Sequence, residues 1–254
     1  GDIVPDMHIG RLPVKTAAQA DAVVAKIVGY EATPPPGSWN LRLLFAADNP
    51  DDVGDFYALS DGVADHYVPA PYGVEKVYYG RTHTPGSAAR AAIVAAIKDG
   101  RLIVNYVGHA AMQVWAQEQL LRISDVSALT NGLRLPLMVP MTCLEGYFIA
   151  PSPAGSNYSS LAESIVRVPG GGALASWSPT GLGLVTGHDL LDRGLMTAIF
   201  QEGIAQLGPA TLRGKLNLIA QGGNLDLVDT YTLLGDPASA LNLGAPPALA
   251  AGDG

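Results

Sequence analysis

Two almost unbroken apolar runs constrain the fold of this 254-residue chain more than any other feature. One is Leu102-Ile103-Val104-Asn105-Tyr106-Val107-Gly108-His109. The other is Leu135-Pro136-Leu137-Met138-Val139-Pro140-Met141-Thr142-Cys143. Runs this short and this continuously apolar read as strands buried on both faces, the pattern of a parallel sheet. Each run ends in a reactive side chain, and the second ends in the sole cysteine of the chain. The carboxyl edge of an open α/β sheet is where ligands bind, so a thiol and an imidazole are expected at a binding edge.

The rest of the chain supplies the alternation that a parallel sheet needs. Thr16 can cap a helix to about Tyr30, with Ala20, Val23, Val24, Ile27 and Val28 at helical spacing. Thr33-Pro34-Pro35-Pro36-Gly37-Ser38 then forms a stiff connector. A strand is predicted at Leu41–Ala47, a helix to about Asp65 and a strand at Val74–Tyr79. An Ala-rich helix introduced by Thr84-Pro85-Gly86-Ser87 runs to about Lys98, with Gly100 ending it. Helical segments are expected near 112–121 and 124–130, a loop at Pro151–Ser156, and a helix from Ser159 or Ser160 to about Val168. A short strand at Ala173–Trp177, helices near 188–203 and 209–220, and a final strand near Ser239–Leu243 complete the reading. Strands alternating with helices imply a mostly parallel sheet with right-handed crossovers and helices on both faces.

Composition excludes several classes. The apolar fraction of 48% against 15% charged residues describes a chain with a large core. The net charge of −8, without a Lys/Arg cluster, argues against a nucleic-acid partner. No apolar stretch approaches the roughly 20 residues needed to span a bilayer, so direct membrane insertion is not expected. A single cysteine forms no internal disulfide and leaves the redox compartment open. The chain opens Gly1-Asp2-Ile3-Val4-Pro5 and closes in a Pro/Ala/Gly-rich tail, 244–254. Both ends read as cuts from a longer parent chain. Residues 1–32 read as an N-terminal segment, the remnant of a preceding subdomain, 38–243 as the main domain and 244–254 as a linker-like tail.

Cys143 and His109 are 143 − 109 = 34 residues apart, enough for one crossover between adjacent strands. A thiolate is the reactive form of cysteine, and a nearby imidazole can take the thiol proton and later donate it to a leaving amine. The plainer alternative is a small buried hydrophobe with a hydrogen-bonded core histidine. His8, His66, His83 and His188 lack the strand-end setting, and His188 reads as a helix-capping residue. No Gly-x-Ser-x-Gly elbow, zinc-ligand spacing or helix-opening phosphate loop is present.

Several segments together resemble the gingipain-type cysteine peptidases. Pro5-Asp6-Met7-His8-Ile9-Gly10-Arg11-Leu12-Pro13-Val14-Lys15-Thr16 is similar to an opening segment of that family. Asn105-Tyr106-Val107-Gly108-His109, with Trp115-Ala116 downstream, resembles its catalytic-histidine segment. Met141-Thr142-Cys143-Leu144-Glu145-Gly146-Tyr147-Phe148 resembles its nucleophile segment. Gly172 to Gly181 and Leu234-Gly235-Asp236-Pro237 fit its later motifs. The matches run in order over nearly the whole chain.

The resemblance implies a caspase-like three-layer α/β sandwich and a Cys–His dyad, Cys143 and His109, in an endopeptidase. It implies an oxyanion hole made by the backbone N–H groups of Cys143 and Ala110, where many relatives have Gly at the second position. It makes Trp177 a wall of the pocket for the residue before the scissile bond. It draws attention to the acids Asp48, Asp51, Asp52, Asp55 and Asp61, since acids of this region orient the histidine and bind basic side chains in the family. Asp48 and Asp61 are the candidates for a basic substrate residue, and Glu145 for a substrate or loop contact. The expected partners are a peptide or protein substrate and further domains of the parent chain, and the expected location is secreted or at the cell surface. No cofactor is required; the resemblance allows a structural calcium. The competing reading is a catalytically idle gingipain-like domain with a structural role in a larger surface or secreted assembly.

Overall fold

The computed structural model describes residues 3–151 and 158–244. Six strands form one sheet: β1 (Arg42–Ala47), β2 (Gly73–Tyr78), β3 (Ile103–Val107), β7 (Leu137–Met141), β8 (Ala175–Pro179) and β9 (Tyr231–Leu234), in the order β2-β1-β3-β7-β8-β9. All neighbours run parallel except β8 and β9, which are antiparallel. A second small sheet holds β4 (Ala110–Ala111), β5 (Val114–Trp115) and β6 (Leu121–Arg122).

Strand periodicity divides the core between two faces. On β1, Leu43, Phe45 and Ala47 pack into one cluster, with Val23 and Ile27 of α1 (Ala17–Ala32) and Phe56 and Val63 of α2 (Phe56–Tyr67). Leu191 of α5 (Val185–Met196) and Leu218 of α6 (Leu207–Ala220) join them. Leu44 and Ala46 pack into the other cluster, with Ile93 and Ile97 of α3 (Gly86–Asp99) and Leu161 and Ile165 of α4 (Leu161–Arg167). The result is helices on both faces of a mostly parallel sheet, the expected three-layer sandwich.

The N-terminal segment is built into this domain. Arg11 bridges Leu234, its N–H donating to Leu233 C=O (2.9 Å) and its C=O accepting from Gly235 N–H (2.9 Å). The buried Lys26 ammonium of α1 donates to the carbonyls of Val166 (2.6 Å), Gly171 (2.9 Å) and Ala173 (3.3 Å). Burial lowers its pKa to about 7.

Four elements differ from the sequence reading. The segment expected to be helical at 112–121 is instead a β-hairpin, turned by left-handed residues Ala116 (φ 56°) and Gln119 (φ 60°). Burial of the Trp115 indole in the core overrides the local helical preference. The second expected helix there is a 3-10 segment, Ile123–Ala128. The last strand is Tyr231–Leu234, following the short α7 (Asp226–Thr230), and Ser239–Leu243 contributes only an isolated bridge, Gln206 to Ala240. Aromatic and β-branched residues at 231–234 satisfy the free edge of β8 first. α5 is shorter than expected and continues as a π-helical turn, Thr197–Gln201. Most of the expected loop 151–156 and of the tail lies outside the described residues.

Candidate active site

β3 and β7 are parallel neighbours with Val107 opposite Met141. His109 and Cys143 each follow two residues beyond this matched pair. Both therefore leave the sheet at the same level of its carboxyl edge, from strands about 4.8 Å apart.

The His109 side is open. The His109 side chain is 49% exposed, and its ring meets Phe56 edge-on at 5.3 Å. Nε2 lies 2.8 Å from Asp51 Oδ2. Asp51 is itself held by a turn in which its N–H donates to Gly54 C=O (3.2 Å) and its Oδ1 accepts from Val53 N–H (2.8 Å). The Val53 N–H, and then His109, keep this carboxyl below the usual aspartate range. A carboxylate on Nε2 favours the tautomer with the proton there and leaves Nδ1 as the acceptor.

The peptide after His109 is firmly oriented. Its carbonyl accepts from the Tyr106 hydroxyl (2.6 Å) and from Ala116 N–H (2.8 Å). The second bond makes Ala110 and Trp115 a non-hydrogen-bonded pair of the β4–β5 ladder, which leaves the Ala110 N–H outside it. Ala110 is not among the residues with positive φ, so the Cβ that replaces the usual glycine hydrogen imposes no backbone strain. Gly108 is different: a Cβ there would lie 2.5 Å from Asp48 Cβ and 2.6 Å from the Tyr106 hydroxyl. Glycine thus lets Asp48 and Tyr106 close around the loop.

The Cys143 side is embedded. Cys143 is half-buried, its Sγ 3.7 Å from Gly183 C=O. Leu144 takes a left-handed φ of 59°, which costs on the order of 1–2 kcal/mol in an L-residue. Bonds to the last residue of β8 and the segment after it hold this turn: Gly146 N–H to Pro179 C=O (2.9 Å) and Leu144 N–H to Gly181 C=O (3.0 Å). Under it lies Glu145, fully buried. Burial raises its carboxyl pKa to about 7, against the Ser178 hydroxyl and Trp115 indole, which favour the charged form.

The remaining candidates fall elsewhere. Trp177 is wholly buried, edge-on to Tyr231 at 5.1 Å and against Gly214 of α6, so it packs here as a core aromatic. Period two along β8 explains this: Ser176 and Ser178 face Glu145's side of the sheet, and Trp177 faces the other. Asp61 is engaged by Lys76 (2.7 Å), Arg81 (2.8 Å) and the Tyr78 hydroxyl (2.8 Å), so its charge is already matched. Asp48 is 4% exposed at the end of β1, accepts from Asn49 N–H (2.9 Å) and is pushed up by burial. Glu145, being buried, contacts no substrate in this conformation. His188 lies inside the first turn of α5, with burial lowering its pKa to about 4.

Among the described residues no three or more His, Cys, Asp or Glu side chains converge on a metal-sized site. None of the described helices is long and apolar enough to cross a membrane. Sequence reasoning did not single out Asp51 among the five acids, nor give Tyr106 and Trp115 a role; only for Tyr106 and Trp115 was there a signal, their closeness to His109 in the chain.

A half-buried thiol and an imidazole thus follow adjacent parallel strands of a caspase-like sheet. The chain belongs to peptidase family C25, the gingipain family, whose sequence model matches residues 1–242. Among solved structures it is similar to the complex of Porphyromonas gingivalis RgpB pro- and mature domains. The TM-score there is 0.82 at 18% identity, over 97% of this chain and 59% of that one. It is also similar to the Arg-specific cysteine proteinase gingipain R, RgpB, with a TM-score of 0.79 at 18% identity over 96% and 59% of the two chains. A further protease matches with a TM-score of 0.79 at 19% identity over 95% and 57%. At such identities the likeness is one of fold, and the chain spans under two thirds of each of these proteins. No curated protein matches it in sequence.

Proposed function

We propose that this domain is a cysteine endopeptidase using Cys143 as nucleophile and His109 as general base. The observation that carries the reading is the matched register of Val107 and Met141, which delivers both residues to one level of the sheet edge. The bond from Asp51 to Nε2 supports it further by favouring an unprotonated Nδ1.

In this mechanism Nδ1 takes the Cys143 proton as Sγ attacks the scissile carbonyl carbon, forming a C–S bond. The carbonyl oxygen becomes an oxyanion, stabilised by the N–H groups of Cys143 and Ala110. The imidazolium then protonates the leaving amine as the C–N bond breaks, leaving a thioester. Water, deprotonated by the same imidazole, hydrolyses the thioester and restores the thiol. Asp51 orients the ring and stabilises its cationic form, as a carboxylate does in a hydrolase triad.

A preference for cutting after basic residues is the narrower form of this proposal. It rests on the fold shared with an Arg-specific proteinase and on the acidity of the loop after β1, and gains nothing from Trp177 or Asp61. We further place the domain in a secreted or surface protein, with other domains of its parent chain as neighbours, on the strength of its family.

Labelling with a peptidyl electrophile directed at thiols, followed by mass spectrometry, tests the core claim. Modification at Cys143 that requires His109 is the expected result. A folded protein that neither labels nor cleaves a diverse peptide library would instead favour the idle, structural role.

A further inference from the structure

Glu145 has no part in the dyad, yet it is the charged side chain closest in sequence to the nucleophile and it is fully buried. Neither carboxyl oxygen makes a hydrogen bond of normal geometry, and the buried Trp115 Nε1 has no such acceptor. The segments carrying these two unmet groups meet at the start of α4, where Ala162 N–H donates to Glu145 C=O (3.3 Å) and Leu161 N–H to Met112 C=O (2.8 Å); the Ser178 hydroxyl, and then the Trp115 indole, are the polar groups that act on the carboxyl. A buried donor and a buried acceptor without other partners are each costly alone, and pairing them removes both penalties.

The link has a direction. Trp115 stacks on Tyr106, with ring centroids 4.2 Å apart and planes 3° from parallel. The Tyr106 hydroxyl donates to the His109 carbonyl at 2.6 Å. That carbonyl belongs to the same planar peptide as the Ala110 N–H, so fixing one end aims the other. Glu145 lies two residues after Cys143, in the turn that carries the other candidate oxyanion donor.

We propose that Glu145 is a positioning residue which, by accepting from the Trp115 indole, ties the nucleophile turn to the Trp115–Tyr106 stack and sets the spacing of the Cys143 and Ala110 N–H groups. This rests on the peptidase reading above. Its effect falls on the transition state, where the oxyanion needs both donors at once, and not on substrate binding.

The test uses steady-state cleavage of a fluorogenic peptide by purified wild type, E145Q, E145M, W115F and E145M/W115F, with unfolding midpoints measured in parallel. Glutamine keeps an acceptor, so E145Q should retain kcat within about threefold. Methionine fills the space without accepting, so E145M should lose about tenfold in kcat, with KM changing less than twofold. W115F deletes only the donor while keeping an aromatic ring, and should lose kcat to a similar extent. The double variant should be no worse than the poorer single, because both delete one interaction. Iodoacetamide alkylation of Cys143 should proceed at the wild-type rate in all four variants. Should E145M fail to fold, W115F still decides: an unchanged kcat overturns the proposal. Full additivity, or a loss confined to KM, also overturns it. An inert wild type would defeat the peptidase reading and this proposal with it. An active wild type with fully active E145M and W115F would defeat this proposal alone.

Discussion

The two strand ends that carry His109 and Cys143 are matched in register and unlike in everything else. The His109 loop is half in solvent, and its ring is pinned by one carboxylate from a neighbouring turn. The Cys143 turn is strained at Leu144, tethered to the segment after β8 and seated on a buried polar layer of Glu145, Ser176 and Ser178. A base must swing a proton between two partners and tolerates exposure. A nucleophile that also supplies an oxyanion donor must hold its backbone still, which takes packing. The cost of disturbing the two sides should differ accordingly.

The largest effects should come from the reactive groups. Cys143→Ala should abolish peptide cleavage, a loss of at least about 10³-fold, and His109→Ala should cost about 10²–10³-fold, with both proteins folded. Normal cleavage by a pure Cys143→Ala sample would rule out the nucleophile.

Backbone changes should then separate the two sides. A Cβ at Gly146 would meet Ser178 Cβ at 2.7 Å and Ser178 C=O at 3.1 Å. Gly146→Ala should destabilise the fold by about 1–3 kcal/mol through overpacking and take activity down with it. Denaturant unfolding measures this, and a midpoint equal to that of the wild type would show that the turn is looser than its contacts imply.

On the open side, Asp51→Asn should lower kcat by about tenfold while leaving the unfolding midpoint almost unchanged. The Asp51–His109 pair is exposed, and exposed pairs contribute about 0–1 kcal/mol to stability. A stability loss as large as that of Gly146→Ala would erase the distinction between the sides.

The smallest effect concerns pH. Burial raises the carboxyl pKa of Glu145 and of Asp192, each to about 7. The folded state therefore holds these protons when the unfolded chain, with ordinary carboxyl values, has released them. Stability should fall as pH rises from about 4.5 to about 7 on their account. Glu145→Gln should flatten that slope in unfolding midpoints taken across this range; an unaltered slope would mean the carboxyl is not buried in solution.

How much of this was legible beforehand follows from the range of the forces involved. Continuous apolar runs at 102–107 and 135–141 announce strands buried on both faces, because only apolar side chains sit there without loss of hydration. Strand polarity then puts His109 and Cys143 on one edge, and the ordered family motifs name the chemistry. Local pattern could not tell that Trp115 sits in a hairpin, since burial of one indole outweighs several weak helical preferences. Nor could it choose Asp51 over its four neighbours, because the choice depends on the Asp51–Gly54 turn facing a loop 58 residues away. Trp177 could be placed on a strand but not on a face, since a shift of one residue moves a side chain across the sheet. The sequence by itself determined the class of fold, the edge and the two reactive groups, all of which rest on short-range pattern. The partner of His109, the buried seat of Glu145 and the closing strand at 231–234 were decided by tertiary structure, because each depends on long-range packing that no local window contains.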